Sequence, residues 1–170
     1  MKKTLFFIGL FLALAIGSTH AQKFALIDME YILEKIPAYE NGNKQLENIS
    51  KQWQSEVDKA AQEVEAMYKK YQADLVFLAG EAKTKRENEI VAKENEINTL
   101  RNKYFGQQGE LMKRREAIMK PLQDDIYNAV KEIATANSYQ VVVDRASAST
   151  IIFASPSIDI SDQVLARLGY

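Results

Sequence analysis

Residues 75–84 read Leu75-Val76-Phe77-Leu78-Ala79-Gly80-Glu81-Ala82-Lys83-Thr84, an apolar run broken by a glycine. Around it, from about residue 38 to residue 137, the chain is rich in Glu, Lys, Gln, Ala and Leu and holds one proline, Pro121. That composition predicts helix throughout. Unbroken, such a helix would extend about 150 Å at 1.5 Å per residue. Gly80 is best placed to fold it back, because similar lengths of chain separate it from Gly42 and from Pro121. The expected result is an antiparallel helical hairpin about 55 to 60 Å long.

The two arms differ. On the outgoing arm Leu46, Ile49, Trp53, Val57, Ala60, Val64, Met67, Tyr71, Leu75 and Leu78 recur in steps of three and four. Their mean spacing, about 3.6 residues, is that of a straight helix, so little supercoil is expected. On the returning arm Ile90, Ile97, Tyr104, Leu111 and Ile118 recur every seven residues, while Glu94, Arg101, Gln108 and Arg115 hold the alternate seam positions. A half-filled seam predicts loose packing and local mobility. Gly106 and Gly109 each cost about 1 kcal/mol against Ala inside a helix, so a discontinuity is expected there. Gly-x-x-Gly also occurs in backbone clamps of RNA-binding modules. No basic patch accompanies it here, and nucleic acid is not an expected partner.

Beyond the arm the pattern changes. Pro121 either starts a helix or kinks one by removing a hydrogen bond to Ala117. After it Leu122, Ile126, Ala129, Val130, Ile133 and Ala136 make a wide apolar face. Asn137 and Ser138 stop that helix, Tyr139–Asp144 and Thr150–Ala154 read as strands, and Ser161–Leu168 reads as a closing helix. At the other end Phe24–Ile27 reads as a strand. Asp28 then caps a short helix whose apolar positions are Met29, Ile32, Leu33 and Ile36, ended by Pro37.

The fold class is therefore α+β and mostly α. Residues 22–38 and 122–170 form a small body with strands at about 23–28, 139–144 and 150–154. Residues 39–121 form an arm with its tip near 80. In the strands Phe24, Leu26, Val141, Val143, Ile151 and Phe153 share one phase, and Ile27, Val142 and Ile152 the other. Strands apolar on both faces need cover on both sides, and one chain has too few elements to supply it and hide its sheet edges. Further copies of the chain are expected to complete the body, through those first six residues.

Composition narrows the function. Lys2 and Lys3 precede an apolar run from Leu5 to Ile16 and small residues ending at Ala21, the pattern of a secretory signal peptide cleaved after Ala21. The apolar run is shorter than the roughly 20 residues a membrane anchor needs. Without Lys2 and Lys3 the exported chain has 20 basic against 23 acidic side chains, a formal charge of −3. That balance offers no broad polyanion-binding surface. Cysteine is absent and the single histidine, His20, lies in the leader. Disulfides, lipid-modified cysteine, thiol nucleophiles, imidazole catalysis and ordinary zinc sites fall away together. Asp124-Asp125 and Glu94/Glu96 read as solvated helix faces rather than catalytic pairs. No glycine lies in a phosphate-cradling loop. Neither an enzyme nor a cofactor is expected.

The leader, Phe24–Met29, the tip at Ala79-Gly80 with Thr84-Lys85, and the stretch from Pro121 through Val143-Asp144 together resemble the Skp/OmpH family of periplasmic chaperones. The resemblance covers nearly all of the exported chain. It implies a jellyfish-shaped homotrimer that holds unfolded outer-membrane β-barrel proteins between its arms without ATP. Tyr68, Tyr71, Phe77, Tyr104 and Phe105 would then make weak, distributed client contacts. For Tyr71 and Tyr104, packing between the arms is an equal alternative. Family members that attract lipopolysaccharide are strongly basic. The slight acidity of this chain, with Glu81, Glu87 and Glu89 beside Lys83, Lys85 and Arg86, counts against that ligand. A different class, an exported structural spacer with a fixed partner, would share the helical arm.

Overall fold

The computed structural model describes residues 23–148 and 150–170; the leader predicted at 1–21 lies outside them. The order of elements is β1 (Lys23–Ile27), α1 (Met29–Lys35), α2 (Pro37–Asp74), α3 (Gly80–Phe105), α4 (Glu110–Asn137), β2 (Tyr139–Asp144) and α5 (Ser161–Leu168), with a single 3₁₀ turn at Pro156–Ile158.

Local chemistry sets these boundaries. Asp28 caps α1, its Oδ1 accepting from the Tyr31 amide at 3.0 Å. Pro37 does more than end α1: it is the first residue of α2, where its missing N–H costs nothing. α2 then runs 38 residues, about 57 Å, to the turn at 75–79. Gly80 opens the return with φ +52°, a left-handed conformation in which a side chain would be strained. The return breaks where the two glycines predicted, between α3 and α4. Pro121 lies inside α4 rather than at its start, so one helix carries the chain from the arm into the body. At the far end Ser138, at φ 59°, terminates α4 and turns the chain into β2.

β1 and β2 pair in parallel, with Phe24 opposite Val141, Ala25 opposite Val142 and Leu26 opposite Val143. Residues so paired lie on one face of the sheet. Ala25, Ile27 and Val142 face the helices and pack with Ile32 of α1, Ile36 just after it, Ile126 of α4 and Val164 of α5. Ile32, Ile126 and Val164 are wholly buried there, and each such side chain contributes about 1.5 to 3 kcal/mol. A second core lies along the arm, separate from the first, where Val57 and Val64 meet Ile90, Ile97 and Tyr104. The returning seam is buried only at every seventh residue, as its polar alternates require.

One strand is missing. Among the described residues Thr150–Ala154 pairs with no strand, and the sheet has two strands instead of three. The place a third strand would occupy beside β1 is taken by the chain after the 3₁₀ turn. Leu26 bridges to Asp159, and the Ile160 amide donates to the Leu26 carbonyl at 2.9 Å. Period-two alternation marks residues 150–154 as suited to a sheet, but the second edge of β1 is already used by Asp159 and Ile160.

Where the arm joins the body, α2 and α4 come close enough that a Cβ on Gly42 would sit 2.4 Å from Cγ2 of Ile118. Ile118 is β-branched and cannot swing that methyl group away freely. Gly42→Val should therefore lower the unfolding free energy by about 1 to 3 kcal/mol, read by urea denaturation. Gly80→Ala meets open space and should lose only about 1 kcal/mol, the cost of a left-handed alanine.

Candidate functional site

The sheet face turned away from the helices is the first candidate. Phe24 and Val141, opposite each other, are each 56% exposed, and Val143 beside them is half-buried. Phe24, Leu26, Ile151 and Phe153 line one shallow cleft; Leu26 is buried at its base and Phe153 is 84% exposed. The six residues expected to associate thus fall on one side of the body. Ile152, placed by the sequence in the opposite phase, is wholly exposed. Apolar groups gathered this way, around an unpaired segment, are not an ordinary monomer surface.

The arm is the second candidate, and it divides the five expected contact aromatics. Tyr104 is 8% exposed and belongs to the seam. Its ring stacks on Trp53 with centroids 4.6 Å apart and planes 5° from parallel. Its hydroxyl donates to Glu56 Oε2 at 2.6 Å, and that hydrogen bond holds the phenol above its ordinary pKa. Packing is therefore the role the structure gives Tyr104, not presentation to a client. Tyr71 is half-buried, with its hydroxyl donating to Glu87 across the hairpin at 2.5 Å. Tyr68 is more exposed and donates to Glu94 at 3.0 Å. Phe105 meets Tyr104 edge-on at 6.3 Å and keeps part of its ring in solvent. Phe77, at the turn, is 85% exposed beside an equally open Val76.

Trp53 was legible only as one member of the outgoing stripe, yet it anchors the middle of the arm. It stacks on Tyr104, and the Arg114 guanidinium lies 5.7 Å from its ring centre. The turn could have located that partner. The pairs Trp53–Tyr104, Gly42–Ile118, Tyr71–Glu87 and Tyr68–Glu94 all straddle residues 78–81 symmetrically, as two antiparallel helices of equal rise must.

Charges along the arm are mostly internally compensated. At the tip Lys83 lies 3.8 Å from Glu87 and Arg86 lies 3.9 Å from Glu89. Two of the three cations there face carboxylates of their own helix. The carboxylates that could have suggested catalysis are occupied likewise: Asp124 by Lys120, Glu96 by Lys93 and Glu94 by Tyr68. Among the described residues no cluster of His, Cys, Asp or Glu could hold a metal ion.

A polar joint ties the sheet to the rest of the body. Asp28 Oδ2 accepts from the Arg145 Nε at 3.0 Å, while the Asp28 amide donates to Ser161 Oγ at 2.9 Å. Ser161 Oγ donates in turn to Asp159 Oδ1 at 2.6 Å. Asp144, the last residue of β2, accepts from the Met29 amide at 3.0 Å, close to the N-terminus of α1. The Tyr31 amide and then Arg145 hold the Asp28 carboxyl below the usual aspartate range. Three of its bonds join partners more than 110 residues apart in sequence, so the joint forms only once the body has closed.

This architecture is that of a protein with a small β-containing body carrying a long helical arm. Residues 23–168 match the family described as Outer membrane protein (OmpH-like), and the chain belongs to that family. Curated relatives are named Chaperone protein Skp. That of Yersinia pseudotuberculosis serotype I is 32% identical and that of Pectobacterium atrosepticum 29%, each alignment covering 99% of both chains. That of Escherichia coli K12 is 28% identical with the same coverage. Among solved structures, an OmpH-like outer membrane chaperone from Caulobacter crescentus superposes with a TM-score of 0.66 at 16% identity, covering 89% of this chain and 86% of its own. That likeness establishes a shared fold.

The joint carries a pH signature. A carboxyl whose pKa is lowered on folding adds stability that is present above its unfolded value and disappears as pH falls through the folded one. Asp28→Asn keeps a good helix cap but loses the charge facing Arg145. It should cost about 1 kcal/mol at pH 7. That deficit should shrink steadily below about pH 4, the ordinary aspartate range, in urea titrations of the two proteins side by side.

Proposed function

We propose that this protein is a periplasmic holding chaperone for unfolded outer-membrane β-barrel proteins, working without ATP. The supporting observation is the open apolar side of the body in a chain whose family relatives are chaperones. Phe24, Leu26, Val141, Val143, Ile151 and Phe153 form the subunit contact of a homotrimer. The unpaired segment 150–154 finds its partner strand in a neighbouring copy. Burying this face between copies stabilises the assembly at about 25 cal/mol for each Å² of apolar surface covered.

Three arms then enclose a space for the client. Phe77 and Val76 at the tip, with Tyr68 and Phe105 along the arm, offer apolar contacts spaced far apart. Each is weak, and several together retain an unfolded chain without imposing a structure on it. A seam filled only at alternate positions leaves the arm able to bend around clients of different size. No chemistry is required of the protein, and no catalytic group is used.

Two measurements test this reading. When a urea-denatured outer-membrane barrel is diluted into buffer, one trimer per client should suppress light scattering; undiminished aggregation would exclude a holding chaperone. Native mass spectrometry should give three chains, and Val143→Asp should dissociate or unfold the assembly by placing a charge in its contact. Gln62→Asp, on the arm, should leave both mass and activity unchanged. A stable wild-type monomer would refute the trimer.

A further inference from the structure

Between α2 and α4, just outward of the close approach at Gly42, the two helices part around a groove of about 430 Å³. This size is within the range of small-ligand sites. Its floor is apolar, formed by Leu46, Ile49 and Ile118. One rim carries three exposed amides, Gln45, Asn48 and Gln52. At the outer end stands Arg114, over the ring of Trp53.

Arg114, like several other cations of this arm, has no carboxylate within 4 Å among the described residues. Glu110, one turn before it on α4, is bonded to Lys113 at 2.9 Å. Glu56, near Trp53 on α2, accepts from Tyr104. The groove therefore combines an apolar floor, a row of groups that both donate and accept, and a cation at one end whose fork geometry suits a carboxylate. An apolar chain ending in a carboxylate matches all three. The amides favour a peptide over a fatty acid. An extended peptide brings a main-chain N–H and C=O at every residue and needs both kinds of partner, whereas an acyl chain brings neither.

We propose that this groove seats the free carboxyl terminus of an unfolded client, with an apolar last residue on Leu46, Ile49 and Ile118 and the terminal carboxylate on Arg114. This rests on the holding-chaperone reading and gives it a polarity: the client's carboxylate points out along the arm toward Trp53, and the residues before it lie inward, on the floor of the groove. Strands of outer-membrane barrels alternate apolar and polar residues, so such a segment places alternate side chains on the floor and leaves its main chain to the amide rim.

The chain has one tryptophan, and it lies at the groove's outer end, so its fluorescence reports occupancy directly. The test titrates the full protein with an N-acetylated hexapeptide of alternating valine and threonine ending in phenylalanine, made as free acid and as amide, and with palmitate. The acid should bind at least tenfold tighter than the amide or palmitate. Arg114→Gln should abolish the preference for the acid, and Arg114→Lys should restore part of it. Ile49→Asp should weaken both peptides, with far-UV circular dichroism unchanged in each variant. Equal binding of acid and amide, tighter binding of palmitate, or a preference surviving in Arg114→Gln would each overturn the proposal. If wild-type protein prevents aggregation of the barrel but does not distinguish the peptides, the groove is not a carboxylate seat and the chaperone reading stands. If it prevents no aggregation, the chaperone reading itself fails.

Discussion

Everything else in this molecule hangs on the pairing of Lys23–Ile27 with Tyr139–Asp144, two short strands brought together across the full length of the arm. Closing a loop of that size carries an entropic cost that grows only slowly with length. What offsets it is the apolar face of Ala25, Ile27 and Val142 against α1, α4 and α5, and the joint of Asp28, Arg145, Ser161, Asp159 and Asp144 at one end of the sheet. The parallel direction follows from the hairpin. An arm that goes out and returns, followed by the reversal at Ser138, delivers β2 alongside β1 running the same way.

Body and arm differ in how they are stabilised, and the difference suits their proposed tasks. The body concentrates its wholly buried aliphatic groups and long-range hydrogen bonds in a few elements. The arm has a narrow seam with seven-residue gaps, a break of four residues between α3 and α4, and solvated ion pairs such as Glu40–Lys44 and Glu47–Lys51. Exposed pairs of that kind contribute a few tenths of a kcal/mol each. A firm anchor bearing a compliant arm is what enclosing clients of unequal size requires.

The helical hairpin was readable from the sequence to within a few residues, because helix propensity, the Gly80 turn and the spacing of apolar residues are local properties that agree. The same held for Asp28 as a cap, Ser161–Leu168 as a closing helix and the discontinuity at Gly106–Gly109. The third strand does not form within the single chain. Thr150–Ala154 has the alternation of a strand, but alternation describes which faces are apolar and says nothing of whether an edge is free to pair. The contact aromatics were left open for a related reason, since a tyrosine on a stripe has the same sequence signature whether it fills the seam or borders it.

The sequence by itself determined the helical arm, its fold-back point, the half-filled returning seam and the absence of histidine and cysteine side chains after residue 21, since each depends on residue type and spacing alone. Only the tertiary structure decided that Asp159 occupies the second edge of β1, that Tyr104 stacks on Trp53 while Phe77 stands in solvent, and that the Arg114 guanidinium lies over the ring of Trp53. Those outcomes depend on which distant groups the closed fold brings to a shared place. Competition for an edge, a ring face or a charge is settled by geometry that no local pattern contains.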